Sequence, residues 1–170
     1  MMGRITPAMS DAAGRELARS VSYPIAASDV RRWALAVYHP EEPPREFWDE
    51  TYAEASTYGG IVAPEDFNPF AWMTAEPSGI KPSYEAGGPT IEAKLGLDEI
   101  TTDYMLNGGA ETEYGKRMRP GDVIISTTVL DGYEEREGRL GMMLFTRSRV
   151  DWDNQRDEKV KTTINTLIRY

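Results

Sequence analysis

Cysteine is absent from these 170 residues, which removes thiolate metal sites, iron–sulfur clusters, cysteine nucleophiles and any disulfide framework. Histidine is nearly absent. His39 stands alone, so one chain cannot build a multi-histidine metal site, and a Ser-His-Asp arrangement would have to run through that residue. Basic residues are outnumbered, 19 Lys and Arg against 28 Asp and Glu, for a net charge of −9. A surface of that sign repels a nucleic-acid backbone. No apolar run approaches the ~20 residues of a membrane span. The amino end, Met-Met-Gly-Arg-Ile-Thr-Pro-Ala-Met-Ser, carries an arginine but not the apolar stretch of a secretory signal. What the chain does have is core material: 4 Trp, 9 Tyr and 4 Phe argue against disorder. The composition points to a soluble, acidic, cytoplasmic domain that binds neither nucleic acid nor membrane.

Residues 1–20 are small and polar, with Leu17 the one large apolar residue of the stretch 12–18; they read as a mobile tail or a short packing helix. A clear helix follows. Ser28 or Asp29 caps it, and Val30, Trp33, Ala34 and Val37 fall at i, i+3, i+4 and i+7. Pro40, Pro43 and Pro44 end it. A second helical stretch is predicted over 45–55, and then Tyr58-Gly59-Gly60-Ile61-Val62-Ala63-Pro64 makes a tight glycine turn into an apolar segment. Asn68-Pro69 opens a helix whose Phe70, Ala71, Trp72 and Met73 are apolar almost all round, the mark of a buried helix. Glycines and prolines deny most of 76–106 regular structure, and such long loops tend to be functional.

The last third changes period. Val123, Ile125, Thr127 and Val129 alternate with Ile124, Ser126, Thr128 and Leu130. After a charged turn at 134–139, Leu140, Met142, Leu144, Thr146, Ser148 and Val150 share one face. After 151–155, Val160, Thr162, Ile164, Thr166, Ile168 and Tyr170 share another. Three strands joined by short turns predict an antiparallel meander. The fold class is α+β.

Read in order, Gly60-Ile61-Val62-Ala63-Pro64 with its buried helix, Leu106-Asn107-Gly108-Gly109 running to Tyr114, and Arg119-Pro120-Gly121-Asp122 opening the meander resemble the MaoC-like dehydratases. The resemblance is to their amino-terminal half, the dehydratase domain of type I fatty acid synthase, and covers residues 22–170. It implies a hot-dog fold, a curved antiparallel sheet wrapped around a buried central helix. Residues 21–170 would form the domain, with an insertion at about 76–106. It also implies reversible addition of water to an enoyl thioester carried on coenzyme A or acyl carrier protein. No cofactor is implied, because the coenzyme A thioester is the substrate.

Catalytic members of that family hold an Asp and a His in a Gly-Asp-x-Asn-Pro-x-His loop after the first helix. This chain departs from the loop. His39 or a neighbour stands where Asp is expected, Pro44 or Arg45 where His is expected, and Asn107 replaces the His of the family's His-Gly-Gly. His39 with Glu42 is the substitute acid/base pair, or His39 merely stabilises a helix end. Gly60, Ile61, Val62 and Ala63 are candidates for the oxyanion edge, since glycine lets backbone approach a ligand. Asn107, Gly108 and Gly109 either face the acyl group or form a bulge. Lys116, Arg117 and Arg119 could meet coenzyme A phosphates. Three functions follow: a dyad-less hydratase subunit paired with a second hot-dog chain as a homo- or hetero-oligomer, a self-sufficient hydratase using His39, or a non-catalytic acyl-CoA-binding module.

Overall fold

A computed structural model describes residues 4–71, 89–139 and 141–170. Its scaffold is one antiparallel sheet of β1 (Glu16–Val21), β2 (Met105–Tyr114), β3 (Ile124–Gly138), β4 (Gly141–Asn154) and β5 (Lys159–Arg169), in the order β1-β3-β4-β5-β2. Among the described residues four helices accompany it: α1 (Pro7–Asp11), α2 (Ala27–Tyr38), α3 (Glu50–Ala55) and α4 (Ile91–Leu95), with a 3-10 turn at Arg45–Phe47. The meander of β3, β4 and β5 forms as the period-2 pattern predicts. No helix of the described residues is long and apolar enough to cross a membrane.

Register separates the two faces. Trp152, Val150, Ser148, Thr146 and Leu144 of β4 lie beside Lys161, Thr163, Asn165, Leu167 and Arg169 of β5. This face meets the helices: Trp152 packs against Phe70 and Thr146 reaches an arginine that holds α4. Ile164, Thr166 and Ile168 pair with Arg149, Arg147 and Phe145 on the opposite face. A register shift at Trp152/Asp153 breaks the alternation, so Val160 turns into the helix-covered core. That core gathers Val30 and Ala34 of α2 with Phe47, Val62, Phe67, Met118 and Ile124, and Trp33 meets Phe67 edge-on at 5.6 Å. A second, smaller cluster joins Ala12, Leu95 and Leu130.

Several expectations are corrected. Residues 16–20, expected to be tail or helix, belong to β1. Arg19 pairs with Thr127, Ser20 with Ser126, and Met9 of α1 is buried. Backbone pairing overrides composition here, because an edge strand needs few apolar side chains. Val37 is exposed and Ala26 takes the cap position of α2. The predicted 45–55 helix divides because Asp49 accepts from the N–H of Tyr52 at 3.0 Å and starts α3 afresh. The charged stretch 134–138 is strand, not turn. Arg136 bridges back to Glu134 at 2.7 Å and lies 4.8 Å over the Phe145 ring, so its charges are arranged along a pleated surface. Of the buried central helix, Phe70 and Ala71 sit in a turn where the Phe70 N–H donates to Asn68 Oδ1. Trp72 and Met73 lie outside the described residues. So do residues 76–88 of the 76–106 segment; beyond them the chain forms α4, capped by Thr90 and stopped by left-handed Gly96.

The junction after β2 is tightly built. The Gly115 and Lys116 N–H groups donate to the Val160 and Lys159 carbonyls, both at 2.8 Å. A Cβ on Gly115 would collide with the Lys159 carbonyl oxygen, which is backbone and cannot swing aside. Gly115→Ala is expected to cost about 1–3 kcal/mol, the range of overpacking. Denaturant midpoints of the two proteins measure it, and equal midpoints would contradict the packing described.

Candidate functional site

His39 and Glu42 occupy the loop between α2 and the 3-10 turn. Both are exposed, and their side chains form no hydrogen bond or ion pair among the described residues. A general base and acid must converge on one water, and among the described residues no hydrogen bond or ion pair holds these two side chains in place. His39→Ala is expected to change thioester hydration by less than about twofold, where a general acid–base group contributes about 10²–10⁴-fold. Abolished hydration in that variant would restore the His39 site.

The cleft beside this loop, about 470 Å³, is walled instead by Tyr38, Glu46, Glu65, Asp66, Tyr114 and Arg117. The expected oxyanion edge does not open into it. The Gly60 N–H donates to Ala53 O at 2.9 Å, Val62 N–H to Glu46 O at 3.2 Å and Ala63 N–H to Met118 O at 2.8 Å. Donors already engaged in protein hydrogen bonds have nothing left for a developing oxyanion. Ile61 lines a different hollow, with Arg31, Leu35 and Trp48. Gly60 adopts φ +145, a backbone conformation that favours glycine.

Lys116, Arg117 and Arg119 do converge on one cleft of about 380 Å³, and Arg156 joins them from the β4–β5 turn. Two of the three are already structural. Arg117 donates to the Ala63 carbonyl at 2.7 and 3.1 Å, reaches Glu65 at 3.3 Å and stacks between the rings of Phe47 and Tyr58. Arg119 donates to the Tyr58 carbonyl. Arg156 pairs with Glu158 and Asp122, both at 2.9 Å, and these partners raise its pKa, Glu158 first. Lys116 is exposed and carries no side-chain hydrogen bond or ion pair among the described residues. The cleft thus offers a basic rim able to meet an anion, with Lys116 as the member not engaged by protein partners among the described residues. Arg156 had no sequence signal, being one cation of an ordinary polar turn.

Asn107, Gly108 and Gly109 form a bulge in β2, where the register shifts between Asn107 and Gly109. Asn107 Oδ1 accepts from the Gly109 N–H at 2.9 Å, and Gly109 takes φ +104. A Cβ on Gly108 would stand 2.8 Å from Thr166 Cγ2. The bulge reading therefore holds. Asn107 also lines a mostly apolar groove of about 330 Å³ with Ile91, Met105, Ser148, Asn165 and Leu167.

One buried cluster went unforeseen. Glu92 of α4 is fully buried, and Arg169 of β5 grips both its oxygens, at 2.7 and 2.9 Å. Tyr133 donates to Glu92 at 2.9 Å, and Arg169 also donates to Thr146 at 2.8 Å. Burial pushes the Glu92 carboxyl up, but the hydrogen bonds from Arg169, its own backbone and Tyr133 more than offset this and hold its pKa below the usual carboxylate range. Burial and Glu92 together push the Tyr133 phenol up. Among the described residues no group of His, Asp and Glu is placed to hold a metal ion.

Among solved structures, the chain resembles a MaoC-like dehydratase from Rhodospirillum rubrum at 18% identity, with a TM-score of 0.55 over 90% of each chain. It resembles the ChsH1–ChsH2 complex from Mycobacterium tuberculosis at 17% identity and a TM-score of 0.62, over 90% of this chain and 83% of that one. The HadBC (3R-hydroxyacyl-ACP dehydratase) complex of the same organism follows at 17% identity and 0.51, over 91% and 98%. No curated protein matches the sequence. These likenesses establish the architecture: the curved five-stranded antiparallel sheet is a hot-dog fold. The pattern of the FAS1-like dehydratase domain region is matched over residues 11–163, from α1 into β5, and with that span the chain belongs to this family.

Proposed function

We propose that this chain is the dyad-less subunit of an enoyl-thioester hydratase/dehydratase, and that a second hot-dog chain bearing an Asp/His pair completes the enzyme. One observation carries the reading. The 330 Å³ groove is bounded by Met105, Leu106 and Asn107 of β2, the last strand of the sheet, whose ten residues are all exposed. The groove therefore reaches an open sheet edge, and a partner strand there would supply its missing wall. The solved complexes named above pair two hot-dog chains, which supports a heteromer.

In this reading the acyl group, on coenzyme A or acyl carrier protein, lies in the groove, and the rim of Lys116, Arg119 and Arg156 attracts the carrier's phosphates. The partner's dyad takes a proton from water as its oxygen adds to Cβ and returns a proton to Cα. This chain's share is to hold the acyl group and exclude bulk water. Co-expression with a dyad-bearing MaoC-like chain tests it: the two are expected to copurify and to hydrate an enoyl-CoA. Failure of every such pairing to copurify would count against the proposal.

A further inference from the structure

Lys161 of β5 lies on the helix-covered face between two aromatic register partners, Trp152 of β4 and Tyr114 of β2. Its ammonium stands 3.8 Å from the centroid of the Trp152 ring, which Phe70 meets edge-on at 5.2 Å. Lys161 is half-buried and, among the described residues, donates no hydrogen bond and forms no ion pair. The charge facing it is Asp66, across the cleft wall that Asp66 shares with Tyr114. Burial lowers the pKa of this amine and Asp66 only partly opposes that. A cation so placed is under-compensated.

Polar groups are spaced along the floor running from Lys161. Two residues along each strand, Thr112 and Thr163 face one another with their hydroxyl oxygens 3.1 Å apart, beside Val150, and beyond them come Ser148 and Asn165, beside Ala110. A wholly aliphatic acyl chain laid there would strip water from hydroxyl and amide groups without replacing their hydrogen bonds. Glu46 and Glu65 line the same cleft as Asp66 and Tyr114, and Glu65 is held by Arg117. On the sheet side, an anion meets Lys161 and the hydroxyl pair.

We propose that this face selects acyl groups ending in a carboxylate, with Lys161 as the seat of that carboxylate beside Thr112 and Thr163. The proposal rests on the chain's being a thioester-binding subunit and names its substrate class. Calorimetric titration of the whole chain with glutaryl-CoA and butyryl-CoA tests it. At least tenfold tighter binding of glutaryl-CoA is expected, erased in Lys161→Met and largely kept in Lys161→Arg. Equal affinities in the unaltered chain overturn it. So does an equal loss for both thioesters in Lys161→Met, which would assign the amine to coenzyme A phosphates. If neither thioester binds, the thioester reading has failed, and free glutarate decides the inference separately. A saturable shift of the Lys161 side-chain NMR signal with glutarate, absent with butyrate, upholds it; no such shift overturns it.

Discussion

Replacing Glu92 with alanine is expected to lower the unfolding free energy by about 3–5 kcal/mol, the cost of leaving one member of a buried pair alone. For a chain of this length that lowers Tm by roughly 6–20 °C. Glu92 is fully buried, and Arg169 has no other carboxylate among the described residues. Without Glu92, its guanidinium keeps the Thr146 hydroxyl, and Tyr133 loses its acceptor. The double variant Glu92→Leu/Arg169→Met should recover much of the loss, because an apolar pair of similar volume carries no desolvation cost. The effect also has a pH signature. The Glu92 carboxyl is held below its unfolded value, so its contribution is fully present above the ordinary carboxylate pKa and fades as pH falls through the folded value. Thermal melts of the unaltered chain and Glu92→Gln, recorded from neutral to acid pH, should therefore converge on the acid side. A constant gap at all pH values would show that the carboxylate's charge contributes nothing.

Mixing this chain with a dyad-bearing hot-dog partner is expected to raise enoyl-CoA hydration at least 10²-fold over this chain alone. That is the lower bound of what a positioned acid/base pair contributes. The chain alone offers His39 and Glu42 in solvent, and the N–H groups of Gly60, Val62 and Ala63 are already donated to protein carbonyls. The gain should depend on the β2 edge: Leu106→Lys, which puts a charge beside the open groove, should reduce both copurification and rate together. Loss of rate with the complex intact would place Leu106 in acyl binding alone. Loss of neither would move the partner to another surface.

Much of this fold is legible in the sequence because it obeys local rules. The period-2 alternation from Val123 onward and the proline-terminated helix ending at Tyr38 are read directly from residue order. Where the reading failed, the deciding interaction was distant or main-chain. The strand β1 has no apolar alternation, and only the β3 backbone beside it makes it a strand. The run at 134–138 looks like a turn until Arg136 is seen over Phe145, a residue of the next strand. The same reason governs the site. Lys116, Arg117 and Arg119 were recognisable as a basic knot, but nothing near them in sequence says that Arg117 will brace the Ala63 carbonyl. Glu92 and Arg169 carry no local signal at all, since a glutamate in a glycine-rich stretch and an arginine at a strand's end both look like solvated charges.

The open edge of β2 carries a cost of its own. A row of uncovered backbone donors and acceptors will accept any extended segment, including the same strand of another copy, and that is a route to aggregation. The strand carries its own deterrent. Glu111 and Glu113 are exposed on it, and an antiparallel self-pairing centred on Thr112 would set Glu111 of each copy against Glu113 of the other, like charges directly opposed. In a chain already at −9, those two carboxylates act as gatekeepers. Opposed in this way, they disfavour pairing of the β2 edge with its own copy.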